Sequence, residues 1–420
     1  MRFRICLFLL GGCAFVNSAL AADKLTAPEL IRMSKSNSPA FRQALIASLG
    51  NEPIKKGTAF LGEGPDFIWA VEAPSTPILF VDRAEVGPMT MLDGNLWYRV
   101  GQLKVGTAHA FYYTVGGERF GGNFNVPAFP PEAYEQPGVP RGKLTDKMVH
   151  TSKIYAGMLS DYWVYTSAQY EPSKAAALMV FQDGQNPANR QRSHVQIVID
   201  NLTHQKKIPP LVCVFISPGT KGQQKMRSIE YDTMNDTYPR FLRDEILPEV
   251  YKHYNVRRDA YSRGITGSSS GGICSFNAAW RTPDQFSRVL TWVGSYASIQ
   301  WHPGEIDGGN TFPFLVRKSE KKNIRVWMQD GAEDLENDHG SWPLQNIQMA
   351  NSLKMKGYDF HFSFGQGTHG GVQGDAEFAR SMTWLWRDYD PAKTEQIYEQ
   401  DPEEKAKPLF RVSIYNRDHY

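Results

Sequence analysis

Two patterns of apolar and polar residues follow one another along the chain. From about Lys55 to Asn125, short runs rich in β-branched and aromatic residues (FIWAVEA, PILFVD, LWYRVGQL and HAFYYTV) are separated by Pro, Gly and Asp turns. That spacing predicts four or more strands and a small all-β, immunoglobulin-like (early-set) sandwich over 55–125. VPAFPPEAYEQPGVPRGK follows, with five prolines from Pro127 to Pro140. It reads as a stiff linker over 126–145 and so as a domain boundary. Then the pattern changes. KIYAGM and DYWVYT read as adjacent strands. ALMVFQDG and LVCVFISPG read as buried parallel strands, and RVLTWVGSYA, NIRVWMQDG and FHFSFGQG as further ones. YPRFLRDEILPEVYKHY has apolar Phe241, Leu242, Ile246, Val250 and Tyr254 near helical spacing, with Pro248 predicting a kink or two short helices. Strands alternating with helices over 146–395 imply the α/β class, a mostly parallel sheet covered on both faces. Residues 22–54 are left as a helical or linker segment and 396–420 as a tail.

Length and composition refine this. A chain of 420 residues exceeds one ordinary core, and 41% hydrophobic with 12% aromatic residues is globular rather than disordered. The first 21 residues read as an export signal: Arg2 and Arg4, a short apolar stretch, then Ala19-Leu20-Ala21 for cleavage. The expected location is periplasmic or extracellular, with Cys13 a less favoured lipid anchor. No later segment is apolar enough to span a bilayer. Lys and Arg number 46 against 44 Asp and Glu, and losing Arg2 and Arg4 leaves the mature chain neutral. That gives no electrostatic footprint for nucleic acid. Cys213 and Cys274 remain after the signal. They read as small buried hydrophobes rather than a pair, and nothing has metal-ligand spacing.

The candidate chemistry starts at YSRGITGSSSGGICSFNAAW, from Tyr261. Gly267-Ser268-Ser269-Ser270-Gly271 fits G-x-S-x-G, a sharp strand-to-helix turn with the nucleophile at its tip. Only Ser269 has glycine at both −2 and +2. SRGITG supplies the strand, and GGICSFNAAW opens a helix whose Ile273, Phe276 and Trp280 face the core. A serine hydroxyl needs a base, and the base needs an acid to orient it, in the chain order Ser, Asp or Glu, His. WMQDGAEDLEND offers Asp330, Glu333, Asp334, Glu336 and Asp338. Asp330 reads as strand end and Asp334 as the acid, with Asp338 and Glu336 behind it. His369, in FSFGQGTHGG, is the base, whereas His361 reads as structural. The oxyanion pocket is assigned to the backbone N–H of Ser270 and to Gly184 or Gln185 in FQDGQNPAN, with Asp183 bracing that turn. Neither a cofactor nor a metal is called for.

From about Lys147 to Asp390 the chain resembles the esterase branch of the α/β-hydrolases that includes enterochelin, feruloyl and acetylxylan esterases and esterase D. The matching features are FQDGQN, RSIEY followed by RFLRDEILPEVYKHYNV, ITGSSSGG, the GAED loop and GTHGG. The resemblance implies the same three residues, Ser269, Asp334 and His369, and a β-sandwich ahead of the hydrolase as in enterochelin esterases. It also implies that RSIEY borders the site. There Arg227 is read as pairing with Glu230, with Tyr231 packed beside it; in a rival reading Arg227 contacts substrate. Trp301 and His302 are candidate pocket walls. The expected substrate is an acyl ester of a polysaccharide, acetyl or feruloyl. The alternatives are a siderophore trilactone or a non-catalytic glycan-binding role. Oligomeric state is left open.

Overall fold

The computed structural model describes residues 24–36, 38–304 and 308–411. The segment expected to be an export signal (1–21), with Cys6 and Cys13, lies outside the described residues. Three helices come first: Ala27–Ser34, Pro39–Leu49 and Asn51–Lys55. Thr26 and Glu29 form a capping box at the first, and Ser38 accepts the Phe41 N–H at the second. Each such cap is worth roughly 1 kcal/mol.

Two four-stranded antiparallel sheets follow. One runs Ala59–Glu63, Asp66–Glu72, Leu96–Gln102, Thr90–Asp93. The other runs Ala84–Pro88, Ile78–Val81, Thr107–Val115, Glu118–Ala128. FIWAV is apolar at every position because its strand is buried on both faces. Phe67, Trp69 and Val71 pack between the two sheets, whereas Ile68 and Ala70 pack under the N-terminal helices with Leu30, Phe41 and Leu45. The proline-rich segment is pinned rather than merely extended. Asn201 donates to the Glu132 and Tyr134 carbonyls, and Tyr134 Oη accepts the Gly64 N–H.

The rest of the chain builds a mixed α/β unit on an 11-stranded sheet. Its centre runs in the order Leu159–Thr166, Leu211–Ile216, Ala177–Phe181, Arg263–Ser268, Arg288–Trp292, Arg325–Gly331, Asp359–Gly365. All neighbours from Leu211–Ile216 onward are parallel. Alternation assigns the two faces. Leu178, Val180, Val212 and Val214 point to one cluster with Ile273, Phe276 and Leu353. Met179, Phe181, Cys213 and Phe215 point to the other with Ile199, Phe378 and Met382. Helices therefore cover both faces, as parallel strands require.

One expectation changes. KIYAGM is a turn, not a strand: the Lys153 and Ile154 N–H groups donate to Glu245 Oε1, and Ala156 and Gly157 take positive φ. The strand beside DYWVYT is instead Met148–Thr151. Around Pro248 the helical segment divides into two short α-helices, one of the two alternatives expected. A widened turn over Leu242–Ile246 joins Thr237–Phe241 to Leu247–Tyr251 and absorbs the hydrogen bond that proline cannot donate. Cys213 and Cys274 are both free and buried. Among the described residues no helix is long and apolar enough to cross a membrane.

His361, stacked on Trp327 at 4.0 Å between ring centres, is pushed down to about 4 by burial, helped by Arg380. The unfolded chain takes up that proton nearer the ordinary value of about 6.5. Between the two values the unfolded state binds more protons, so stability is full above the upper value and falls as pH drops toward the lower. His361→Phe should remove about 1–3 kcal/mol of that loss, read from urea midpoints across the window. An unchanged slope would contradict the assignment.

Candidate functional site

The parallel strands end at one edge of the sheet, and the candidate residues stand just beyond those ends, where open α/β sheets present their crevice. The elbow strand Arg263–Ser268 turns into the helix Ser270–Arg281, and Ser269 between them has φ 59° and ψ −124°. This is an unusual conformation for a residue with a Cβ. The turn is tight: a Cβ on Gly267 would lie 2.4 Å from the Gly271 carbonyl oxygen. Ser269 N–H donates to the Trp292 carbonyl at 2.9 Å, and the Ser269 carbonyl accepts from Gly272, Ile273 and Ser295.

The hydroxyl at the tip donates to His369 Nε2 at 2.7 Å, and the other ring nitrogen, Nδ1, donates to Asp334 Oδ1 at 2.6 Å. Asp334 is buried and His369 half-buried. Burial opposes the Asp334 charge, but the His369 and Asp330 hydrogen bonds outweigh it and hold that carboxyl below the usual range. The acid and histidine loops touch through glycine. A Cβ on Gly331 would sit 2.1 Å from the Gly367 carbonyl oxygen. Asp338 and Glu336 lie on the exposed hairpin beyond Asp334 and have no hydrogen bond to the imidazole.

Several neighbours differ from expectation. Arg227 does not pair with Glu230. It grips Asp183 through two 2.8 Å hydrogen bonds, because Asp183, at φ 52°, turns its carboxylate toward the elbow. Glu230 instead accepts the Gly219 N–H at 2.6 Å, and burial pushes its carboxyl up to about 7. Tyr231 is a buried brace rather than a pocket wall, its hydroxyl accepting the Asp183 N–H. Gly184 cannot present its N–H to a substrate, since that group donates to the Ile216 carbonyl at 2.8 Å. The Ser270 and Gln185 N–H groups carry no hydrogen bond to a protein acceptor among the described residues. Trp301 and His302 lie on an exposed loop after Arg288–Trp292, and Gln300 ties that loop to Ser228 beside Arg227.

Sequence reasoning passed over three further residues. Ser295 Oγ lies 3.3 Å from Ser269 Oγ and accepts the Trp342 indole N–H at 3.2 Å. Trp342 also stands edge-on to the His369 ring, 5.6 Å between centres. Asn125, from the last strand of the N-terminal sheets, donates to Thr368 Oγ1 and accepts the Thr368 N–H. Ser295 lay inside the strand candidate RVLTWVGSYA, and neither Trp342 nor Asn125 carried any sequence signal.

The family model described as "Putative esterase" matches residues 161–383. The iron(III) enterobactin esterase of Dickeya dadantii is 23% identical over 236 residues, which is 54% of this chain and 52% of that protein. The uncharacterised protein YbbA of Bacillus subtilis is 23% identical over 146 residues, or 33% of this chain and 55% of that one. The chain thus spans about half the length of the curated relatives it matches. The crystal structure of the enterobactin esterase FES from Shigella flexneri is similar in fold. Its TM-score is 0.52 at 16% identity, over 84% of this chain and 99% of that one.

Asn125→Ala should free the histidine loop. Amide exchange at Thr368 should quicken roughly tenfold in native conditions, with the global unfolding midpoint nearly kept. Unchanged exchange there would mean the contact does not hold the loop.

Proposed function

From the premise that the chain belongs to the esterase family, of α/β-hydrolase type, we propose that it is a serine carboxylic-ester hydrolase with Ser269 as nucleophile, His369 as base and Asp334 as orienting acid. One observation carries this reading: the unbroken hydrogen-bonded chain from Ser269 Oγ through both nitrogens of His369 to Asp334, anchored on a strained elbow.

Each group has a defined task. His369 Nε2 takes the hydroxyl proton as Ser269 Oγ attacks the ester carbonyl, and the imidazolium that forms is stabilised by Asp334. The tetrahedral oxyanion is received by the Ser270 N–H, at the start of a helix, and by the Gln185 N–H. His369 then protonates the leaving alcohol, and water repeats the sequence on the acyl-enzyme. Tyr231, Arg227 and Asp183 hold the Gln185 turn in place, which makes Arg227 a support rather than a contact for a substrate carboxylate.

The proposed substrate is an acyl ester of a polysaccharide, acetyl or feruloyl. The charge around the nucleophile supports an uncharged ligand. Arg227 is already neutralised by Asp183, and Asp334 beside the histidine is held as a carboxylate. A second reading, a siderophore trilactone, draws support from the enterobactin esterase relative and from the likeness in fold to FES over 84% of this chain. A highly anionic ferric chelate would, however, find the Arg227 charge already taken by Asp183. We read the two four-stranded sheets as an immunoglobulin-like early-set sandwich over 55–125. Asn125 makes that unit part of the site's frame. The catalytic unit then covers 146–395, and the 1–21 leader supports export to the periplasm or beyond.

Ser269→Ala should lower hydrolysis of a short-chain aryl ester by roughly 10³-fold or more, with circular dichroism unchanged. Full activity in that variant would refute the nucleophile, and an inactive wild type would favour a binding role. A panel of acetylated xylan, methyl ferulate and a catecholate trilactone should show highest kcat/KM on one of the first two. Preference for the lactone would transfer the assignment to the siderophore reading.

A further inference from the structure

Asp330 is the penultimate residue of the strand Arg325–Gly331, four residues before Asp334, and is 0% exposed. Its register partner is Phe364 on the histidine strand. The chain then doubles back, the Asp334 N–H donating to the Gly331 carbonyl, and the Asp330 and Asp334 carboxyls come within hydrogen-bonding reach. Asp334 Oδ1 is fully engaged, by His369 Nδ1–H and by the Leu335 N–H. Asp334 Oδ2 and both Asp330 oxygens are buried without a partner when both groups are drawn as carboxylates. Neighbouring buried acceptors with no donor between them are costly, and two adjacent carboxylates do not both stay ionised. One proton resolves this, and it belongs on the member that is not facing the imidazole.

We propose that Asp330 is a positioning residue: as a neutral carboxylic acid it donates its O–H to Asp334 Oδ2, clamps that carboxylate from behind and aims Oδ1 at His369. Burial first, and then Asp334, push Asp330 well above the usual carboxylate range. Around it stand Asp334 from its own loop, Phe364 from the flanking strand and Asn346 from the helix Trp342–Met355, and the Gly331 N–H and Asn346 side chain pull the other way without reversing the shift. Asn346 is itself fixed by donating to the Gly294 and Trp342 carbonyls. Of these only Asp334 carries charge. The hydrogen-bonded unit is therefore four residues long, from the buried Asp330 to Ser269 at the tip of the elbow. This rests on the assignment of Asp334 and His369 made above.

The test compares Asp330→Asn, which keeps size, neutrality and a donor, with Asp330→Ala, which removes the donor. Aryl-ester hydrolysis is followed against pH in the full chain. Asn should stay within about threefold of wild-type kcat with its acid limb unmoved, and Ala should lose roughly tenfold to hundredfold in kcat with KM little changed. The acid limb of kcat/KM should also move to higher pH in Ala, because an Asp334 without its donor holds the imidazolium more tightly. Three results overturn the proposal: an Ala variant equal to wild type, an Asn variant as damaged as Ala, or an acid limb that moves to lower pH in Asn, the mark of a lost negative charge. Should the Ala variant not fold, infrared difference spectra decide. A protonated-carboxyl band present at neutral pH in wild type and missing from Asp330→Asn supports the proposal, and its absence from wild type overturns it. Failure of the underlying assignment reads differently, as hydrolysis that survives Ser269→Ala whatever stands at 330.

Discussion

The site depends on one constraint, the backbone of Ser269 held at φ 59° and ψ −124°. Such a conformation costs about 1–3 kcal/mol for a residue with a Cβ and persists only where its surroundings over-determine it. Here they do. The Ser269 N–H is taken by Trp292 on the neighbouring strand, and its carbonyl is shared by Gly272, Ile273 and Ser295. Moving the hydroxyl would mean breaking bonds on both sides of the peptide. Glycine at 267 and 271 is what lets strand and helix approach closely enough to make those bonds.

The sheet carries that constraint outward. Parallel register sets Ser268 beside Trp292, Trp292 beside Gln329, and Asp330 beside Phe364. Three loops far apart in sequence therefore leave the sheet at the same height, and each needs only a few residues to reach the others. The apolar clusters on the two faces make that register expensive to change, since a shift of one residue would exchange them. The N-terminal sheets add a further tie through Asn125, so the histidine loop is gripped from the acid loop on one side and from the all-β unit on the other.

Much of this was legible because it follows from local rules. The glycines around Ser269, the chain order of elbow, acid loop and histidine loop, and the two-faced apolar strands all reflect short-range geometry or periodicity. What could not be read depends on partners distant in sequence. Arg227 lies 44 residues from Asp183, and nothing near either residue marks the pair, whereas Glu230 is close in sequence and drew the wrong pairing. The Gly184 N–H was open to assignment until the Ile216 carbonyl was seen to claim it. KIYAGM has strand-like composition, but Glu245 claims its backbone donors from a helical segment some ninety residues on. Asp330 shows the same limit from the other side. Its place at the strand end was readable, but its missing donor is visible only once Asp334 folds back over it.

The most direct measurement is the mapping of a fluorophosphonate adduct by mass spectrometry on the intact folded chain. The account predicts a single modified residue, Ser269, formed rapidly at neutral pH and slowed by several orders of magnitude in His369→Ala. Modification elsewhere, or no adduct on Ser269 in a folded sample, would contradict the claim that this elbow carries an activated nucleophile.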